Sequence, residues 1–200
     1  MTATSNHRGA APTNCKYVAV FCGARTGTDP IYSDTARAIG RGLAERNFGL
    51  VYGGGNVGLM GILADAAIEA GAPVIGVIPR SMVEVELAHT GCTELHIITT
   101  MHERKAIMAE RASAFLAIPG GVGTLDEVFE AITWNQLAIH DKPIGFLDTD
   151  GYYSQLKSFM EHSAGLGFIP DTTMQRLIFE TQTSLMLDRL GTEMNAPANA

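Results

Sequence analysis

Cysteine is scarce in this chain: Cys15, Cys22 and Cys92 are the only three in 200 residues, odd in number and widely spaced. No Cys-x-x-Cys pair or His-x-x-x-His spacing accompanies them, which argues against a disulfide framework and a zinc site and points to a reduced, cytoplasmic compartment. Lysine is scarcer than usual too. Only Lys16, Lys105, Lys142 and Lys157 occur, none in a setting that would hold pyridoxal phosphate as a Schiff base, which speaks against a lysine-dependent decarboxylase. Positive charge is also short, with 14 basic against 21 acidic side chains and a formal net charge of −7. Such a chain has no field to hold a polyanion, so no nucleic-acid partner is expected. Long apolar runs are missing as well. None approaches the ~18 residues of a membrane span, and the polar start carries no apolar signal segment, so no membrane partner is expected. Residues 1–15 read as a disordered lead-in and 191–200 as a flexible tail, which leaves one domain over 16–190.

What the chain does have is an alternation of short β-branched apolar runs with stretches of helical period, the pattern of a parallel sheet with helices on both faces. The fold class expected is therefore α/β, in a single domain. Strands are expected at 17–21, 48–52, 74–78, 95–98, 114–118 and 144–147. Helices are expected at 31–46, 58–70, 101–112, 124–139, 152–163 and 183–190. The segment 81–92, which carries Glu84, Glu86 and His89, has no period and reads as an irregular connection where function can reside. No internal repeat or low-complexity segment is present.

Two strand–glycine–helix junctions stand out, and both have the composition of phosphate sites, where backbone N–H groups and a helix N-terminus face an anion. The first, Gly53-Gly54-Gly55-Asn56-Val57-Gly58, has the G-x-G-x-x-G spacing of a dinucleotide fold. An acid should follow about 20 residues on to hold the adenosine ribose, but Pro79 and Arg80 stand there. An NADP-binding oxidoreductase, with Arg80 on the extra phosphate, therefore remains a lesser alternative. The second junction, Pro119-Gly120-Gly121-Val122-Gly123-Thr124, pairs three glycines with a hydroxyl where a helix begins. Thr124-x-x-Glu127 also has the spacing of a capping box, in which both side chains serve only the helix start.

Two charged residues frame this second loop. Leu125, Val128, Phe129 and Ile132 form the buried stripe of the following helix, which places Glu127 beside the stripe and near the loop's mouth. On the preceding helix Arg104 lies among Met101, Ile107 and Met108 with no acidic partner at helical spacing. A guanidinium there needs an anion, and Glu127 or a ligand phosphate are the candidates.

The combination of Met101-His-Glu-Arg-Lys105 with Pro119-Gly-Gly-Val-Gly-Thr-Leu-Asp-Glu127 resembles the Lonely Guy family of cytokinin-activating phosphoribohydrolases, many of which carry the label lysine decarboxylase-like. The likeness spans nearly the whole structured region, including Tyr52-Gly-Gly-Gly55, Gly58-Leu-Met-Gly61, Gly76-Val-Ile-Pro79, Ile132-Thr-Trp-Asn-Gln-Leu137 and Gly151-Tyr-Tyr153. It implies a modified Rossmann fold, a homodimer or higher homo-oligomer, and hydrolysis of an N6-substituted adenosine 5′-monophosphate to free base and ribose 5-phosphate. It further implies Arg104 and Glu127 as the catalytic pair, with Glu86, Lys105, Gly120, Gly121, Val122, Gly123, Thr124 and Thr133 as substrate contacts. Gly54 and Gly55 of the first loop join them as candidate contacts. No cofactor and no metal is expected. Two departures from the family pattern are visible, Val122 where an aromatic is common and Cys22-Gly-Ala-Arg25 where serines are usual. The alternative is a non-catalytic nucleotide or molybdenum-cofactor carrier, which shares fold and glycine loops.

Overall fold

A computed structural model describes residues 15–196 and the backbone of Ser5–His7. Seven strands run parallel: β2 (Lys16–Phe21), β3 (Phe48–Tyr52), β4 (Val74–Pro79), β5 (Glu94–Ile98), β6 (Ala114–Ala117), β7 (Ile144–Leu147) and β8 (Leu177–Glu180). A short β1 (Ser5–His7) pairs antiparallel with β5, giving the order β1-β5-β4-β3-β2-β6-β7-β8. The expected lead-in thus contributes an edge strand, and the rest of residues 1–14 lies outside the described residues. Six of the parallel strands coincide with the expected runs to within one residue.

The strands are apolar without alternation because both faces are covered. Val18, Val20, Leu50 and Leu116 face one layer, formed by α1 (Pro30–Glu45), α2 (Gly58–Glu69) and α7 (Thr183–Asn195). Tyr17, Ala19, Phe21 and Phe115 face the other, formed by α3 (Met101–Arg111), α4 (Val122–Gln136) and α5 (Ser154–Gly165). Burying each large side chain in these layers stabilises the fold by about 1.5–3 kcal/mol. The two-layer cover is the doubly wound α/β architecture expected from the alternation.

Three local differences have physical causes. β8 and the preceding α6 (Asp171–Arg176) were not anticipated, because a four-residue edge strand after a six-residue helix carries too few apolar positions to show a period. The expected end of the domain at Leu190 is passed by α7, which runs to Asn195. Its last turn is held by the ammonium of Lys16, which donates to the Met194 carbonyl at 2.7 Å and to Asn195 Oδ1 at 2.5 Å. The tail expected from 191 is therefore helical over its first half, and residues 197–200 lie outside the described residues. α4 begins at Val122 rather than Thr124. No helix among the described residues is long and apolar enough to cross a membrane.

Candidate functional site

Strand order reverses between β2 and β6, whose chains leave the sheet toward opposite faces, and a crevice opens there at the C-terminal strand ends. The loops leaving the two strands are tied together, since the Gly23 amide donates to the Pro119 carbonyl at 3.1 Å. Between them lies a cleft of about 590 Å³. Its walls come from the Cys22–Gly27 loop, the second glycine loop with Thr124, Asp126 and Glu127, and a group of thioethers from Met60, Met82 and Met101.

The start of α4 decides between the two readings of the second loop. Gly121 is its N-cap and supplies no side-chain hydrogen bond. The Thr124/Glu127 capping box does not form; a capping box forms instead at Thr100 and Glu103, where α3 begins. Thr124 sits buried inside the first turn, its hydroxyl turned back toward the Cα of Gly120. The first amides of α4 thus keep no side-chain partner beside the cleft, with the positive end of the helix dipole behind them. Two tyrosines brace this loop from below: Tyr152 donates to the Gly120 carbonyl and Tyr153 to that of Ile118, the latter at 2.9 Å.

Glu127, released from capping, lines the cleft. Burial pushes its carboxyl up from 4.5 to about 7, with the Arg104 charge pulling down and the Glu86 and Asp126 charges pushing further up. Arg104 is only 4 % exposed and lies against the first glycine loop, where a Cβ on Gly53 would collide with its Nη2. The acid nearest to its guanidinium is Glu86, with Nη2 3.7 Å from Oε2. Arg104 Nε and Glu86 Oε2 are both buried without a hydrogen-bond partner. Such atoms cost about 1–3 kcal/mol each and mark a place built for something other than stability. Burial raises the Glu86 carboxyl too, against the pull of Arg104.

Glu86 reaches the site because its connection is sewn to the first glycine loop. The Asn56 amide donates to the Glu86 carbonyl at 2.8 Å, the His89 amide to the Gly54 carbonyl at 2.8 Å, and Gly55 bridges Ala88. His89 is itself pinned, Nε2 to Asp65 at 3.0 Å and Nδ1 accepting from the Gly91 amide.

The structure therefore brings Arg104, Glu127, Glu86, Gly120, Gly121, Gly123 and Thr124 to one cleft. Gly54, Gly55, Lys105, Val122 and Thr133 do not line it. Gly54 and Gly55 hold the Glu86 segment, and Lys105 bridges Asp126 and Glu130, at 3.1 Å each, between α3 and α4. Val122 is exposed, and Thr133 is exposed with its hydroxyl donating to the Phe129 carbonyl. In the first glycine loop, the basis of the dinucleotide alternative, the chain itself makes the close approaches: the Arg104 guanidinium at Gly53, Glu86 at Gly55 and the Ala24 backbone at Gly58. Arg25, Tyr32, Tyr152 and the three methionines were not singled out from the sequence as site residues, although the end of the strand beside the reversal was the place to look.

A parallel sheet covered on both faces, with its cleft at the reversal of strand order, defines a Rossmann-like α/β protein. Its backbone superposes on the molybdenum cofactor binding protein of Rippkaea orientalis with a TM-score of 0.69 over 90 % of this chain and 98 % of that one, at 20 % identity. The Moco carrier protein of Chlamydomonas reinhardtii matches similarly, with a TM-score of 0.68 over 90 % and 99 % at 20 % identity. These likenesses concern the fold alone. Residues 60–190 match the family described as "Possible lysine decarboxylase". The chain is 49 % identical to the cytokinin riboside 5′-monophosphate phosphoribohydrolase of Rhodococcoides fascians over 89 % of its own length and 90 % of that protein's. It is 45 % identical to the phosphoribohydrolase LOG3 of Arabidopsis thaliana, over 80 % and 75 % of the two chains. This chain belongs to that family.

Proposed function

We propose that the protein hydrolyses the N-glycosidic bond of an N6-substituted adenosine 5′-monophosphate, releasing the free base and ribose 5-phosphate. The observation that carries this reading is Glu127: a carboxyl poised near neutrality, one helical turn from uncapped helix-start amides, in the cleft at the strand-order reversal. The relatives named above support it.

The lining of the cleft offers a group for each part of a nucleotide. The glycine loop and the start of α4 suit a phosphate, Glu127 suits the ribose, and Glu86 with Met60, Met82 and Met101 forms the end left for the base. Breaking the bond from C1′ to the base sends the electron pair to the base and leaves positive charge on the sugar. The Glu127 carboxylate stabilises that charge and takes the proton of the attacking water, whose oxygen bonds to C1′. The departing base takes up a proton from solvent, and Glu127 returns the proton of the water to solvent, so the carboxylate is restored. Arg104, beside Glu86 and within electrostatic reach of Glu127, keeps part of the Glu127 population ionised. Phosphate binding spends its energy on orienting C1′ against the carboxylate.

The test is direct: free base is measured after incubation with AMP and with isopentenyl-AMP. Release from the prenylated nucleotide is expected. Binding of both without release overturns hydrolysis and favours a carrier.

The finer reading is a homodimer or higher homo-oligomer acting in the cytoplasm. Val122, Asp126, Glu130, Thr133 and Leu137 recur at helical spacing along one side of α4, and Val122 and Leu137 are 84 % and 65 % exposed. A second copy against this side would cover both and bring its helix toward Thr133 and Lys105. Light scattering that gives the mass of a single 21.3 kDa chain overturns this assembly.

A further inference from the structure

We infer that Arg25 is the side-chain anchor for the 5′-phosphate and the residue that makes the site demand a phosphorylated substrate; this rests on the nucleotide reading above. The charges around the cleft carry the argument. Glu86, Asp126 and Glu127 line it as acids, and Arg104 and Arg25 as cations. Arg104 is buried against Gly53 with Glu86 3.7 Å away, and the neighbouring Lys105 is paired with Asp126 and Glu130. Arg25 has no ion pair among the described residues and is exposed where Arg104 is buried, so it is the lining cation that an incoming anion meets first. A phosphate dianion entering a cleft with three carboxyls and no free cation would be repelled.

Arg25 is also held in register with the glycine loop. Its own loop follows β2 directly, and Gly23 donates to the Pro119 carbonyl at 3.1 Å while accepting from the Leu59 amide at 3.0 Å. The guanidinium therefore approaches the phosphate end from the β2 side while the α4 amides approach from the β6 side. A planar guanidinium fork grips two phosphate oxygens at once and brings a full positive charge that backbone amides lack. This chain carries the arginine in a stretch of the loop where serines are usual in the family pattern, which adds a positive charge there.

The experiment compares the wild-type protein with Arg25→Ala and Arg25→Lys, using kcat/KM for isopentenyl-AMP, calorimetric binding of ribose 5-phosphate, and inhibition by adenine. Arg25→Ala is expected to lower kcat/KM and ribose 5-phosphate affinity together by about 10- to 100-fold, the scale of a lost charge-assisted contact. Adenine inhibition stays the same, and Arg25→Lys recovers part of the loss. An equal loss for ribose 5-phosphate and adenine indicates a structural role and overturns the inference, as does no loss for either or failure of the wild type to bind ribose 5-phosphate. If the wild type releases no base from any nucleotide, the hydrolase reading fails alone, because ribose 5-phosphate binding still reads the role of Arg25.

Discussion

Replacing Glu127 by Gln removes one charge and nearly no volume, so its consequences follow from the protonation of a single carboxyl. Burial raises that carboxyl from 4.5 to about 7 in the folded chain. Below the ordinary value it is neutral whether the chain is folded or unfolded. As pH rises from there to about 7, the unfolded chain releases the proton and the folded chain holds it, so stability falls across that window. At about 1.4 kcal/mol per pKa unit, and allowing for screening at the cleft mouth, the loss at pH 8 is about 2–3 kcal/mol. Glu127→Gln does not incur it. The variant should therefore melt roughly 5–10 °C above wild type at pH 8, with the gap closing toward pH 4.5. Turnover should meanwhile fall about 100-fold or more, the scale of a lost electrostatic or acid–base group. Its kcat/KM profile should also lose the acid limb near pH 7 and keep the limb of the phosphate, whose second pKa is about 6. Thermal unfolding by circular dichroism across that range reads the first effect, and base release reads the others. A gap in melting temperature that does not change with pH, or a variant less stable than wild type at pH 8, refutes the assignment of a strained, functional carboxyl.

Two further substitutions probe the walls. Gly53→Ala places a methyl group where Arg104 Nη2 lies, and because the obstacle is the far end of a flexible side chain, the guanidinium moves and the fold holds. Base release should drop about tenfold or more with a melting temperature within about 3 °C of wild type; a variant that keeps full activity shows that Arg104 need not sit there. Met82→Ser removes apolar surface from the thioether end, so kcat/KM for isopentenyl-AMP should fall about 3- to 20-fold relative to AMP. An unchanged ratio between the two substrates would place the N6 substituent elsewhere.

The sheet was legible because residues such as Val18 and Ala19 on β2 are buried on opposite faces, so each strand writes itself as an unbroken apolar run. The second glycine loop was legible because three glycines and a threonine exceed what a plain turn requires. The partner of Arg104 was not, since Glu86 sits in an aperiodic connection and no helical or strand spacing relates it to α3. The first glycine loop shows a different limit. Its spacing says that something approaches the backbone closely, and the approaching groups belong to the same chain: the Arg104 guanidinium at Gly53, Glu86 at Gly55 and the Ala24 backbone at Gly58. Arg25 was visible only as a departure from a family pattern, because an isolated cation in a loop has no period to reveal it.

The cleft has to admit a phosphate dianion near Asp126 and Glu127, and protonation of Glu127 works alongside the Arg25 charge in admitting it. Burial already lifts the Glu86 and Glu127 carboxyls toward their neutral forms in the free protein. A bound phosphate adds negative charge and lifts Glu127 further, so binding must take up protons from solution. At pH 8 the phosphate is itself a full dianion and contributes little. A one-unit rise from about 7 then corresponds to an uptake of about 0.4 proton per ribose 5-phosphate bound. Calorimetry in buffers of different ionisation enthalpy measures this number directly, and in Glu127→Gln it should shrink toward zero. Release of protons by the wild type, or the same uptake by the variant, would mean that the phosphate and Glu127 do not share one field. In that case the carboxyl would lie too far from the bound sugar phosphate to stabilise charge at C1′.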